Sequence, residues 1–221
     1  MVAFDFFWHI LSGMRKLKEE SNGNGTKTTI KHILASQTDM WHRFVPDYKD
    51  LEKIVQTFKQ MGYRVVLTQG VYDLIHEGHA AYLETAKAQG DVLIVGVDSD
   101  ELTRKRKGPD RPIVPQTERL KMLVHLRHVD IVTLRQAHHD LGYLIRLVKP
   151  DVLVVSRSTT DFTRTMAQEY EGVCGKIVTL PPQATTSTSA RIRNLNIEGA
   201  EKLAKEVSGL TQKFLDRIRR K

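Results

Sequence analysis

Five short runs of β-branched and apolar residues, alternating with stretches of helical periodicity, constrain this chain more than any other feature it has. The runs predict strands over 64–68, 92–97, 129–133, 152–155 and 176–180. Between them, apolar residues recur three and four positions apart and predict helices over 78–89, 116–126, 140–148 and 162–171. A further helix precedes the first strand. In DYKDLEKIVQTFKQMG, Leu51, Ile54, Val55 and Phe58 fall on one face, and Gly62 ends the pattern. Parallel neighbours need crossover connections, and the helices supply them. The alternation therefore predicts an α/β protein with a doubly wound, parallel five-stranded sheet covered on both faces. Such sheets bind ligands beyond the carboxyl ends of their strands, where the winding changes direction.

At 221 residues the chain can bury one good core with small appendages. The polar, glycine-rich SNGNGTKTT at 21–29 reads as a linker. The predicted organisation is an N-terminal extension and linker over 1–38, a main domain over 39–195 and a C-terminal helical tail over 196–221. The tail has an amphipathic pattern expected to break or kink near Gly209. No apolar run approaches the roughly 20 residues of a membrane helix. The N-terminal apolar patch has no basic residue before it and Asp5 within it, unlike a secretory signal. A single cysteine, Cys174, excludes an internal disulfide and fits a reducing, cytoplasmic location. The formal net charge of +8 suits nucleic acid, an anionic surface or small anionic substrates equally. The basic run RKRKG at 104–108, read as a loop, has no interleaved aromatic residues to stack bases, so nucleic acid is not an expected partner. A membrane is not expected either.

The stretch TQGVYDLIHEGHAAYLETA at 68–86 carries the chemistry. His76 follows the first strand and its turn, and His79 opens the next helix, so both fall at the predicted ligand-binding edge. Gly78 between them lets a bulky group approach the backbone. The helix N-terminus adds amide donors and a positive dipole end, suited to an anion. Two imidazoles there can donate hydrogen bonds to phosphate oxygens, most strongly when charge builds on the phosphoryl group in a transition state. A zinc pair is the alternative, but no cysteine or carboxylate cluster nearby completes a ligand set. No metal ligand is assigned among the protein side chains. Asp73 is expected to hold the turn by bonding local amides.

The run VVLTQGVYDLIHEGHAAYLETAKAQGDVLIVGVDSDELTRKRKGPDRPIVPQTERL resembles the HxGH nucleotidyltransferases of the cytidylyltransferase-like superfamily. Within it, the likeness is nearest to the nucleotidyltransferase domain of bacterial ADP-heptose synthases, with glycerol-3-phosphate cytidylyltransferases and archaeal FAD synthases as relatives. The matching residues are Gly70, Val71, Tyr72, Asp73, His76, Gly78, His79, Gly90, Asp91, Ser99, Asp100, Lys107, Gly108, Arg111, Pro112 and Arg119, and the likeness extends over 63–195. The resemblance implies a Rossmann-like form of the sheet, the HxGH nucleotidyltransferase fold. It also implies a reaction, transfer of a nucleoside monophosphate from ATP or CTP to a phosphorylated sugar, polyol or similar small acceptor, with release of pyrophosphate and Mg2+ as cofactor. On it, His76, His79 and Lys107 are catalytic. Gly70, Val71, Tyr72, Asp73, Gly78, Asp98 and Arg119 bind the nucleotide, joined by Ser187, Thr188, Ser189 and Arg191 of the hydroxyl-rich TTSTSARIR. Arg111, Arg157 and Asp161 are assigned to the acceptor. A homodimer is implied in the same way.

The departures from the family pattern leave a rival open. Relatives carry a glycine-rich acidic turn after the fourth strand, whereas this chain reads VVSRSTTDFT, with Ser156, Arg157 and Ser158 in place of glycines. A non-catalytic nucleotide-binding module, serving regulation or assembly, would tolerate that change. The hydroxyl turn also lacks the arginine that cytidylyltransferases place ahead of it, which leans toward an adenylyl donor.

Overall fold

The computed structural model describes residue 33 and residues 40–157, 164–183 and 188–219, without the side chains of 40, 41, 164, 188–193 and 211–219. These residues fall into two compact units that divide between 183 and 184.

In the first unit, five parallel strands form one sheet: β1 (Val65–Gly70), β2 (Val92–Asp98), β3 (Ile131–Arg135), β4 (Val152–Ser156) and β5 (Lys176–Leu180). Their order is β3-β2-β1-β4-β5. The chain winds outward from β1 through β2 to β3, then returns to the other side of β1 for β4 and β5. The winding thus reverses between β1 and β4, and the crevice beyond their carboxyl ends is the place where such a sheet takes a ligand.

The helices are α1 (Met40–Arg43), α2 (Tyr48–Gln60), α3 (Glu77–Lys87), α4 (Asp100–Lys107), α5 (Gln116–Val124), α6 (Tyr143–Val148) and α7 (Arg164–Tyr170). Successive side chains of a strand point to opposite faces, and over β1, β2 and β4 both faces are covered, which explains why these strands carry long apolar runs. On one face, Val65, Leu67, Val92, Ile94, Ile131 and Leu153 pack against Leu51, Ile54, Val55 and Phe58 of α2 and Leu144, Ile145 and Val148 of α6. On the other, Val66, Leu93, Val95, Val132 and Val154 pack against Tyr82, Leu83 and Ala86 of α3 and Leu120, Leu123 and Val124 of α5. Each such aliphatic side chain contributes roughly 1.5–3 kcal/mol relative to exposure.

Three aspartates, each immediately before a strand, fasten the amino edge of the sheet. Asp91 accepts from the Arg64 amide at 2.7 Å, Asp130 from the Leu93 amide at 2.7 Å and Asp151 from the Val65 amide at 2.7 Å. In return the amide of each donates to the carbonyl of the same residue. The backbone groups where the strands enter the sheet are thereby satisfied, and the register of β1 with β2 and β4, and of β2 with β3, is held at its start.

The strands lie within about two residues of the sequence expectation. Two helical expectations are corrected. The basic stretch read as a loop is α4, a helix capped by Ser99, whose hydroxyl accepts from the Leu102 amide at 3.0 Å. Only Leu102 and Thr103 of its eight residues are buried, so there is no apolar stripe to betray it. The second unit holds α8 (Thr188–Arg219), which runs unbroken through Gly209. A single interior glycine costs about 1 kcal/mol, too little to break a helix of this length. No described helix is long and apolar enough to cross a membrane.

Candidate active site

β1 delivers the chain to the crevice, and a strained turn aims it. Tyr72 and Leu74 have φ of 54° and 48°, left-handed values that cost a non-glycine residue roughly 1–2 kcal/mol each. The Tyr72 ring folds back over Gly70, where a Cβ would meet its Cε2 at 3.1 Å, so only glycine leaves room for that ring at ordinary contact.

Asp73 offsets the strain. Buried at 6% exposure, its carboxylate accepts from the amides of Ile113 at 3.0 Å and Val114 at 2.9 Å and from Arg111 Nη1 at 2.8 Å. The expectation that Asp73 bonds amides holds, but these amides lie 40 residues on rather than in its own turn. Asp73 therefore latches the turn after β1 to the segment between α4 and α5. Arg111, assigned from the resemblance to the acceptor, is placed as the charged half of that latch.

His76 is the N-cap of α3 and His79 its third residue, and the two close a reciprocal cap. His76 Nδ1 accepts from the Gly78 amide at 3.1 Å, and the His76 amide donates to His79 Nδ1 at 3.4 Å. With both Nδ1 atoms accepting, the proton of each neutral ring sits on Nε2. The rings lie 4.1 Å apart, and Tyr72 stands 5.6 Å from His79. Burial, the neighbouring His76 and the Lys107 ammonium, in that order, push the His79 pKa down to about 4 against an opposing pull from Asp73. At neutral pH the His79 ring is therefore an uncharged Nε2–H donor. Tyr82, one turn further along α3, pins the helix to the sheet by donating to the Val154 carbonyl at 3.2 Å and sharing a 2.7 Å bond with the Thr68 hydroxyl.

Lys107 is the exposed last residue of α4, and Gly108, with φ of 98°, ends that helix in a conformation that side chains rarely adopt. His76, Gly78, His79 and Lys107 are thus brought together with Gly70, Val71, Tyr72 and Asp73. Asp98 and Arg119, expected to bind the nucleotide, sit deeper. Asp98 is fully buried between Arg135 Nη1, at 2.6 Å, and Arg106. Arg119 is 1% exposed, and its guanidinium donates to Val114 O at 2.9 Å, to Asp100 Oδ1 at 2.7 Å and to the Val71 carbonyl. It braces the turn from below. Reading the sequence missed Arg106 and Arg135, because nothing in a linear pattern pairs them with Asp98. Arg157 stands exposed at the end of β4, across the reversal point from the histidines, and its amide donates to the Leu180 carbonyl at 2.8 Å. Asp161 and Ser187 lie outside the described residues. Thr188, Ser189 and Arg191 open α8, but their side chains lie outside the described ones.

Magnesium is expected from the resemblance. Among the described residues, no group of three or more His, Cys, Asp and Glu side chains could hold a metal ion, and the buried carboxylates of Asp73 and Asp98 are taken up by arginines.

The family model described as Cytidylyltransferase-like matches residues 67–194. Among curated proteins, the bifunctional protein HldE of Nitratiruptor sp. is 46% identical over 112 residues, which take in 50% of this chain and 24% of that protein. HldE of Desulfatibacillum aliphaticivorans is 32% identical over 166 residues, 75% of this chain and 34% of that protein. The matches thus span about a quarter to a third of these relatives. A lipopolysaccharide core biosynthesis protein from Thermoplasma volcanium, solved as a crystal structure, aligns at 31% identity over 54% of this chain and 97% of that one, with a TM-score of 0.48.

Proposed function

This chain belongs to the cytidylyltransferase-like family of nucleotidyltransferases, and from that premise we propose that it transfers a nucleoside monophosphate from ATP or CTP to a phosphorylated sugar or polyol. An oxygen of the acceptor phosphate attacks the α-phosphorus in line, the bond to the β-phosphate oxygen breaks, and pyrophosphate leaves. Such a transfer asks the protein for positioning and charge stabilisation rather than for a nucleophile. His76 and His79 donate from Nε2 to oxygens on which negative charge accumulates, and Lys107 adds a full positive charge. Magnesium enters as part of the nucleoside triphosphate complex, and no protein side chain is assigned to it. The HldE relatives are named bifunctional, and the matched portion of them is a fraction of their length, so a single activity is proposed here.

The observation that carries the proposal is the histidine cap: both Nδ1 atoms are spent on the backbone of one helix N-terminus, which fixes two Nε2–H donors beside it. Pyrophosphate release, with ATP and CTP each tested against sugar phosphates, glycerol 3-phosphate, phosphocholine and FMN, tests it. Release in any pairing names donor and acceptor together. Silence throughout, with nucleotide still bound, transfers the weight to the non-catalytic module. The observation favouring that second reading is Arg157, exposed at the end of β4 where relatives place a glycine-rich turn.

A further inference from the structure

α4 ends in the lysine brought to the histidine cap, and its two ends are held in different ways. At the amino end Ser99 caps the helix, and Asp100 and Gln116 bond reciprocally: the amide of each donates to the side-chain oxygen of the other at 2.8 Å. Asp100 also accepts from Arg119 at 2.7 Å, and the buried residues of the helix, Leu102 and Thr103, lie in this half. In the last turn Arg104, Lys105 and Lys107 stand exposed. Arg106 does not: its side chain is only 14% exposed, and its Nη1 donates to Asp98 Oδ2.

Asp98 is a prepared anchor. It is the last residue of β2 and the register partner of Arg135 on β3. Its Oδ1 accepts from Arg135 Nη1 at 2.6 Å, and Arg135 Nη2 donates in turn to the Leu141 carbonyl at 3.1 Å. The Arg135 stem lies along the sheet over Gly96, where a Cβ would meet its Cδ at 3.1 Å. The Asp98 side chain is fully buried, and a buried carboxylate needs an opposite charge. Arg135 alone supplies one. Arg106 is therefore not required to neutralise Asp98, and what it adds is a link between the sheet and the last turn of α4.

That link has a geometric consequence. Successive side chains of an α-helix point about 100° apart, so a helix whose Arg106 is seated against the sheet presents Lys107 in one direction. Helix ends fray, and Lys107 is the last residue of α4, so without the link its ammonium would sample many positions. The direction it takes brings the ammonium close enough to His79 for its charge to act on that ring.

We propose that Arg106, held by Asp98 and Arg135, is a positioning residue that fixes the Lys107 ammonium against the histidine cap. Its effect on turnover rests on the nucleotidyltransferase reading above; the geometry itself can be tested on the protein alone.

The test is a double-variant cycle of Arg106→Met and Lys107→Met in the full chain, read in two ways. Arg106→Met leaves Asp98 paired with Arg135, so no buried carboxylate is left alone and the fold is expected to persist. The first measurement needs no substrate. NMR of the labelled protein gives the fraction of the His79 ring protonated at pH 5, about a tenth for a pKa of about 4. The charged groups acting on that ring are His76, Lys107 and Asp73. Lys107→Met should raise the fraction by removing a repelling charge. Arg106→Met should raise it by at least roughly half as much, because the ammonium moves away, and the double variant should match Lys107→Met. The second measurement is pyrophosphate release. Arg106→Met should lower kcat/KM about tenfold, Lys107→Met by more, and the double variant no further than Lys107→Met. Arg106→Lys, which keeps one charged hydrogen bond to Asp98, should recover most of both losses. Should Arg106→Met not fold, Arg106→Gln, too short to reach Asp98 as arginine does, takes its place in the cycle with the same expected results. An unchanged His79 fraction in the Arg106 variant, or losses that multiply in the double variant, overturns the proposal, since Arg106 then acts on the fold or on phosphates by itself. Coupling at His79 with no pyrophosphate release from the parent protein keeps the positioning role and removes the activity, whereas turnover without coupling does the reverse.

Discussion

His79 holds two properties in tension. Its Nδ1 must stay unprotonated to accept from the His76 amide, and its Nε2 must carry the proton that a phosphate oxygen receives. Burial first, then His76 and Lys107, depress its pKa from 6.5 to about 4 and keep it in that form. Between those values the unfolded chain binds a proton that the folded chain does not. Its contribution to stability is therefore complete above about pH 6.5 and is lost as pH falls toward 4. Denaturation midpoints from pH 7 to 4 should decline, and His79→Asn, which keeps an acceptor near Nδ1 but does not titrate, should flatten that decline. An unaltered slope in the variant would assign the loss to other groups. In turnover, His76→Ala and His79→Ala should each cost about a hundredfold, the scale of one preorganised donor. Two variants that turn over like the parent would remove the histidines from the chemistry.

The segment from α4 to α5 matters as an element because it is what Asp73 and Arg119 hold. Asp73 reaches from the β1 turn to Arg111 and two amides of the segment, and Arg119 returns from α5 to Val71, Val114 and Asp100. Asp73→Ala leaves Arg111 and two amides without their acceptor, so a stability loss of roughly 2–3 kcal/mol is expected in urea unfolding, together with slower turnover. Arg119→Met should cost about 3 kcal/mol because it removes a buried guanidinium and its bonds to two carbonyls and to Asp100, while the nucleotide Kd of the folded fraction changes little. A variant with the parent's stability and a weakened nucleotide Kd would restore Arg119 to the nucleotide site. Here the sequence was legible in part. The residues around His76 and His79 could be picked out because their spacing and their place after a strand are local facts. Many of the partners of Asp73, Asp98 and Arg119 lie 19 to 48 residues away, and hydrogen-bond partners at such distances leave no periodicity to read. The helix α4 was missed for a related reason: its signal is the Ser99 cap, whereas its body, DELTRKRK, has no apolar stripe.

Across the whole first unit, the sheet has two unlike ends. The carboxyl end holds the histidine cap and Lys107; the amino end holds Asp91, Asp130 and Asp151, each paired with the entry of a neighbouring strand. The strand positions were open to a reading of the sequence because a sheet buried on both faces demands apolar runs such as VLIVGV. The strand order was not open to it, since crossover direction leaves no trace in local pattern. If the two ends are as separate as the structure places them, substitutions should divide cleanly. Asp91→Ala and Asp151→Ala each remove an acceptor from a strand-entry amide and should cost roughly 1–2 kcal/mol. Asp130→Ala should cost somewhat more, because it also removes the ion pair with Lys87. All three should retain the parent's kcat at temperatures where they remain folded, whereas His76→Ala should retain the parent's Tm within a few degrees and lose turnover. Urea midpoints and pyrophosphate release measured on the same four proteins decide it. Amino-end variants that keep their stability but lose kcat would mean that the register held at the strand entries governs the geometry of the crevice some six residues further along β1 and β2, and the sheet would then have to be treated as one mechanical unit rather than as a scaffold with a site at one end.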